Sequence, residues 1–329
     1  MGRNKKLQEI DLALNSLVIF RKLLTNDVML PLRALLDTES MDPMIQLRQY
    51  TEFISRLYAR SMNLTEFIFR LICEDDNFYV RTAASGKEMD EMLEACLQNE
   101  LAILQRLARL RPHELQKEVS YYGVLPEWKT SDLDFGAEYH ARVREIGRYG
   151  YGQFAPHHMF VYRDEQFVPV KQPDLVMLSD LHGNEAERQR VIDNTLLLLE
   201  GRPAENVLLC GDSGTGKSAT VKALVNEYAG DGLRLIELTQ AQLPLLPEIM
   251  EQLADNPLKF IIFADDLVLS PDSPAFGRLK SVLGGSAAVR SERVAIYATS
   301  MQLPAVCEDP RDPLQALSRR FGLRVEYHA

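Results

Sequence analysis

The chain has little with which to cross-link, to span a bilayer or to grip polyanions. Its four cysteines, Cys73, Cys96, Cys210 and Cys307, lie far apart and form no C-x-x-C pair, so neither a disulfide framework nor a dithiol motif is expected. Cys96 and Cys210 fall on apolar positions, where a thiol behaves as a small hydrophobe, which fits a reducing, cytoplasmic setting. The longest unbroken aliphatic run is Leu196 to Leu199, far below the roughly 20 residues a bilayer requires, and no membrane insertion is expected. Basic residues precede Leu7, but an amphipathic helical pattern follows them instead of a signal sequence's apolar stretch. Lys6 stands where a myristoylation signal starting at Gly2 wants Ser or Thr. Positive charge is in the minority, with 37 Lys and Arg against 47 Asp and Glu and a net charge of -10. That balance argues against holding nucleic acid by bulk electrostatics and leaves only a local basic patch open. No repeat or low-complexity tract is visible.

What is present is a soluble globular composition, 46% hydrophobic and 26% charged over 329 residues, long enough for two domains. Within it the run Gly211-Asp212-Ser213-Gly214-Thr215-Gly216-Lys217-Ser218 fits G-x-x-x-x-G-K-[ST] without a mismatch. A triphosphate has to be held by many backbone N–H groups at once, so glycines at 211, 214 and 216 let the chain curl around it. Lys217 is placed to reach the β- and γ-phosphates and Ser218 to offer a hydroxyl to Mg²⁺. Ala219 opens the helix whose positive end faces the anion. The flanks match: Asn206 to Cys210 reads as a short apolar strand, and Ala219 to Tyr228 carries Val221, Leu224 and Val225 at helical spacing.

The first part of the chain, to about residue 120, reads as a helical bundle. Leu7, Ile10, Leu14 and Leu17 share a face, helices follow over 45–58 and 64–72, and a long helical segment runs from about Lys87 to Glu118. Met89, Leu93, Cys96, Ile103, Leu107 and Leu110 form its stripe, which Glu100 interrupts and which is expected to be core. Pro112 predicts a kink or a break. A mixed segment from Tyr121 to Asp174 contains a hairpin over Met159–Val170, turning at Asp164-Glu165. His157 and His158 lack a third ligand at metal-site spacing and read as packing residues. We expect residues 1–172 to form a helical N-terminal domain with this connecting segment and hairpin.

Residues 173–329 then read as an α/β domain, a parallel sheet flanked by helices. Strands are expected at 207–210, 234–238, 260–264, 294–298 and 323–327, with helices at 217–229, 245–255, 274–283 and 312–320 and the ligand at the strand C-termini. The strand Phe260 to Ala264 ends in Asp265 and Asp266, which supplies the carboxylates a phosphate loop requires. Asp265 is expected on Mg²⁺ and Asp266 as the residue that polarises the attacking water. The strand 294–298 runs on into Thr299 and Ser300, one of which is placed to orient that water. Arg319 and Arg320, at the end of the last expected helix, either complement its dipole or reach the γ-phosphate of a neighbouring subunit.

GDSGTGKS, FIIFADD, IYATS and LSRRFG, in that order, resemble the core of an AAA+ P-loop ATPase. More narrowly, residues 173–329 resemble the bacterial group known as domain-of-unknown-function family 815, whose members also carry a helical N-terminal region. The resemblance implies ATP and Mg²⁺ as cofactors and a Walker A motif at Gly211–Ser218. It puts Walker B at Asp265 and Asp266, sensor 1 at Thr299 or Ser300, and an arginine finger at Arg320 or Arg319 acting within a ring or dimer of identical chains. It also sets Leu181, His182 and Gly183 against adenine. Three departures stand out: Asp266 where the wider class has Glu, Met301 where a polar residue is usual, and an end at Ala329 that leaves no helical lid and no sensor 2 arginine. The expected function is therefore a Mg-dependent ATPase that moves its N-terminal region or a partner, a protein or nucleic-acid client that the sequence does not name. The alternative is a nucleotide-dependent switch or scaffold with little hydrolysis. A small-molecule kinase would require an acceptor pocket and a basic lid for which no residues stand out.

Overall fold

The computed structural model describes residues 5–37, 42–267, 277, 279–280, 283, 292–301, 317 and 319–328. The chain divides into two compact units, Met1–Glu145 and Ile146–Ala329.

The first unit is all helical: α1 (Lys5–Asn15), α2 (Met29–Leu36), α3 (Pro43–Tyr58), α4 (Leu64–Glu74), α5 (Phe78–Ala84), α6 (Glu91–Ala108), α7 (Pro112–Gln116) and α8 (Phe135–Arg144). Short acidic or amide side chains start most of them. Asp42, Asn63, Asn77, Asp90 and Asp134 each accept a hydrogen bond from a first-turn amide that has no partner within its helix. Leu7, Ile10, Leu14 and Leu17 are buried together, as their spacing predicts. The long segment expected over 87–118 is two helices, because Pro112 lacks an N–H and sits at the first turn of α7. The carbonyl of Leu110 at that break accepts from Trp128 Nε1 at 2.9 Å.

Glu100, which breaks the apolar stripe of α6, is 1% exposed. Its carboxylate accepts from the amides of Val18 at 2.7 Å, Ile19 at 3.1 Å and Phe20 at 3.0 Å, in the turn after α1. A carboxylate surrounded by main-chain donors ties two distant stretches of chain while leaving no buried amide bare. Glu100→Gln, which loses the charge and one acceptor oxygen, is expected to cost about 2 kcal/mol of stability by urea unfolding. An unchanged midpoint would show that the three amides find other partners.

In the second unit, after the single turn α9 (Ile146–Tyr149), come β1 (Met159–Arg163), β2 (Gln166–Pro169) and α10 (Glu185–Leu199). β3 (Val207–Gly211), α11 (Lys217–Tyr228), β4 (Leu233–Leu238) and α12 (Leu246–Leu253) follow, then β5 (Lys259–Ala264), β6 (Val294–Ser300) and β7 (Leu323–Tyr327). All seven strands make one sheet in the order β2-β1-β4-β5-β6-β3-β7, parallel except for β2. One face packs Leu208, Ile236, Ile262 and Ile296 with α12. The other packs Leu209, Leu235, Phe263 and Tyr297 with α10 and α11. Burial on both faces explains why these strands read as near-continuous apolar runs. Asp164 and Glu165 turn the hairpin with φ of 49° and 59°, the positive pair that a two-residue turn favours. The hairpin extends the sheet, since β1 pairs with β4. Among the described residues no helix is long and apolar enough to cross a membrane.

The helices expected over 274–283 and 312–320, with the Ser273-Pro274 start and Gly284-Gly285 stop, fall largely outside the described residues.

Candidate phosphate-binding site

Strand order builds this site. β6 lies between β5 and β3, with Ala264 opposite Ala298 and Leu209 opposite Thr299. Asp265, one residue past the end of β5, therefore comes beside Thr299, and both face the loop that leaves β3 at Gly211.

The three loop glycines serve different needs. Gly214 and Gly216 have φ of 82° and 90° with open space where a Cβ would sit, so conformation alone selects them. Gly211, with φ of 137°, lies so close to β7 that a Cβ would meet the carbonyl oxygen of Tyr327 at 2.2 Å. Thr215 Oγ1 donates to the carbonyl of Asp212 at 2.9 Å and holds the bend. Among the described residues the amides of Ser213, Gly214, Gly216, Lys217 and Ser218 donate to no protein acceptor. Asp212, Ser213 and Gly214 face solvent. A row of available N–H groups ending at a helix N-terminus fits an anion, and a chain of phosphates in particular.

Lys217 is 5% exposed. Its ammonium donates to the carbonyls of Gly211 at 2.8 Å and Asp212 at 2.6 Å, with Thr215 Oγ1 at 3.4 Å. Ser218 Oγ donates to Asp265 Oδ1 at 2.6 Å, and Thr299 Oγ1 donates to the same oxygen at 2.5 Å. The hydroxyl of Thr299 in turn accepts from the amide of Asp266 at 2.8 Å, while its own main-chain carbonyl accepts from Leu267 N at 2.7 Å. This double attachment turns the chain sharply after β5, and Asp266 takes φ of 48° with its side chain exposed. Aspartate tolerates the left-handed region better than most residues do. One carboxylate and one hydroxyl set beside an anion cradle form the hard oxygen donor set that suits Mg²⁺, an ion that takes its remaining ligands from phosphate and water.

Ser300 lies one residue on, beside Cys210 in the register, and is turned to the opposite face of the sheet from Thr299. Burial pushes the Cys210 thiol up to about 11, so it packs as an unreactive group. Arg319 and Arg320 are exposed. Arg320 Nη1 donates to the carbonyl of Lys280 at 2.6 Å and makes no hydrogen bond to the phosphate loop among the described residues. His158 has a packing role: Nε2 lies 3.1 Å from Asn226 Oδ1, burial lowers its pKa, and Asn226 Nδ2 donates to the carbonyls of Asp174 and Val176.

Leu181, His182 and Gly183 precede α10. Asn184, in the left-handed conformation at φ 54°, starts that helix. Its side chain donates to the carbonyl of His328 at 3.0 Å and accepts from the amide of His328 at 2.8 Å. His328 directly follows Tyr327, which is opposite Gly211 in the register. The 181–184 segment is thus tied beside the end of the strand that flanks the phosphate loop. Asn184, Arg188, Thr220 and Tyr327 belong to no sequence motif, and only the folded structure brings them to the site.

Residues 155–329, more than half of the chain, match the family model described as "Protein of unknown function (DUF815)". No curated protein matches. Among solved structures, one described as "Structural Basis for Katanin Self-Assembly" is similar, with a TM-score of 0.30 and 21% identity over 47% of this chain. The match spans about half of that katanin chain's length, 54%. The parallel sheet, the loop after β3 and the helix that follows give a P-loop NTPase-like fold, preceded in the sequence by a helical region.

Proposed function

The chain belongs to the DUF815 protein family, and from the geometry of its site we propose that it is an ATP-binding protein and a Mg-dependent ATPase of AAA+ type. The observation that carries this reading is the convergence of Ser218 Oγ and Thr299 Oγ1 on one oxygen of Asp265, beside a loop of unpaired amides. Residues 213–218 bind the phosphates through those amides, and Lys217 turns its ammonium from the loop carbonyls to the β- and γ-phosphates. Ser218 and Asp265 hold Mg²⁺, which when bound neutralises charge on the transferred phosphoryl group. Thr299 keeps Asp265 oriented, and as sensor 1 it or Ser300 helps to orient the water. Asp266 takes the water's proton as it attacks. Leu181, His182 and Gly183 lie against the base, where His182 keeps both its main-chain N–H and C=O available among the described residues. An arginine, Arg320 or Arg319, acts on the γ-phosphate of a neighbouring copy in a ring or dimer. Turnover drives movement of the N-terminal region or of a client, in the cytoplasm.

One observation favours the second reading, a nucleotide switch with scant hydrolysis. Asp266 is one methylene shorter than glutamate, and its backbone is held left-handed by two hydrogen bonds, so its reach is restricted. Phosphate release at several protein concentrations separates the two. A rate per subunit that rises with concentration supports an ATPase with an arginine supplied in trans, whereas a flat, negligible rate supports the switch. Asp266→Asn is expected to leave ATP affinity intact and to lower turnover by about 100-fold. Unchanged turnover in that variant would assign the base elsewhere.

A further inference from the structure

The segment ahead of α10 is held far more firmly than its exposed position requires. Arg188, one turn into the helix, is 7% exposed. Its guanidinium forks back to the carbonyls of Gly183 and Leu181, each at 3.0 Å. The amide of Gly183 donates to Glu185 Oε1 at 2.9 Å. Asn184 then locks the same segment to the main chain of His328 by two reciprocal hydrogen bonds. From β7 the attachment continues to the phosphate loop by two routes. Gly211 packs against the carbonyl of Tyr327, and the Tyr327 hydroxyl donates to Thr220 Oγ1 at 3.1 Å, which donates to the carbonyl of Gly216 at 2.9 Å. Hydrogen bonds on the Gly216 side and close backbone packing on the Gly211 side thus link residues 181–184, through the end of β7, to both sides of the loop.

We propose that Asn184 and Arg188 are positioning residues of the nucleotide site, which fix residues 181–183 to the end of β7 so that the nucleoside meets a preformed surface in register with the phosphate loop. This rests on the nucleotide reading above. A guanidinium bridging two carbonyls sets the shape of the segment, and the Asn184 amide sets its distance from the loop. Preorganisation of this kind strengthens binding by removing ordering costs from the bound state, without any contact from these side chains to the ligand.

The test compares ATP with inorganic tripolyphosphate, which has the phosphates and no nucleoside, by equilibrium titration of the full chain with Mg²⁺. Asn184→Gly removes the amide yet tolerates the positive φ, so the backbone shape is retained. Arg188→Met removes the fork and keeps most of the volume. In both variants ATP affinity is expected to fall about tenfold, the factor that corresponds to 1.4 kcal/mol. Tripolyphosphate affinity should stay within about twofold, which also shows that the variant is folded. Equal losses for both ligands would make these residues merely structural and overturn the proposal, as would no loss for either. Wild-type chain that binds ATP and tripolyphosphate equally would overturn it too while leaving the phosphate loop standing. Wild-type chain that binds neither would remove the nucleotide reading itself.

Discussion

Lys217→Ala is expected to abolish nucleotide binding, with ATP affinity falling about 1000-fold in an equilibrium titration while the protein stays folded. Both halves of this expectation come from where the ammonium sits. It is buried and bonds to the carbonyls of Gly211 and Asp212 within its own loop. Those bonds are local, so no element elsewhere depends on them, and the loop keeps Thr215 to hold its bend. On the proposed reading the same ammonium turns to phosphate oxygens once nucleotide is bound, and a charge-assisted contact out of water is strong. ATP affinity in the variant within a few-fold of wild type would remove the phosphate-loop assignment and the proposed function with it. A collapse of the thermal midpoint would instead show that Lys217 holds the fold.

The second large effect is on stability and separates the glycines that the motif treats alike. Gly211→Ala has to place a methyl 2.2 Å from the Tyr327 carbonyl oxygen, a backbone atom in a paired strand, at φ 137°. Neither the oxygen nor β3 has room to yield without breaking the β3–β7 pairing. Overlap and backbone strain together are expected to cost about 4 kcal/mol in chemical denaturation. Gly214→Ala meets open space at φ 82° and is expected to cost about 1 kcal/mol, the price of the backbone conformation alone. Equal costs for the two variants would mean that β7 does not lie against the loop as described, and the path from Asn184 to the phosphate loop would go with it.

Five of the six parallel strands and the helix after the phosphate loop were legible because each is a local pattern. An apolar run buried on both faces, a glycine loop and a helical repeat all declare themselves within a dozen residues. The hairpin was legible for the same reason, through the two residues of its turn. α10 was not, although it flanks the site. Its inward face carries Arg188, Asn194 and Thr195 beside Val191 and Leu198, so hydrophobic periodicity is masked. Some of those polar groups find partners nearby, Arg188 at Gly183 and Leu181 and Thr195 at Val191, and others only across the fold. Thr195 and Asn194 reach the Tyr297 hydroxyl, and Asn194 also holds both main-chain groups of Glu205. Glu100 gives the same lesson in the helical unit, where an apparent flaw in an apolar stripe receives three amides from a turn some eighty residues away.

The sequence alone determined the chemistry available: a loop able to wrap phosphates, an ammonium within it, a hydroxyl at the helix start and carboxylates at a strand end. Residue type and short-range spacing are sufficient for that, since each group's capacity is intrinsic. The tertiary structure decided which groups act together. Only the placement of β6 between β5 and β3 brings Thr299 and Ser218 onto one oxygen of Asp265. Only the pairing of β7 with β3 makes Gly211 irreplaceable and sets residues 181–184 beside the loop. Strand order depends on long-range pairing, and no local run of residues encodes which neighbour a buried apolar strand will take.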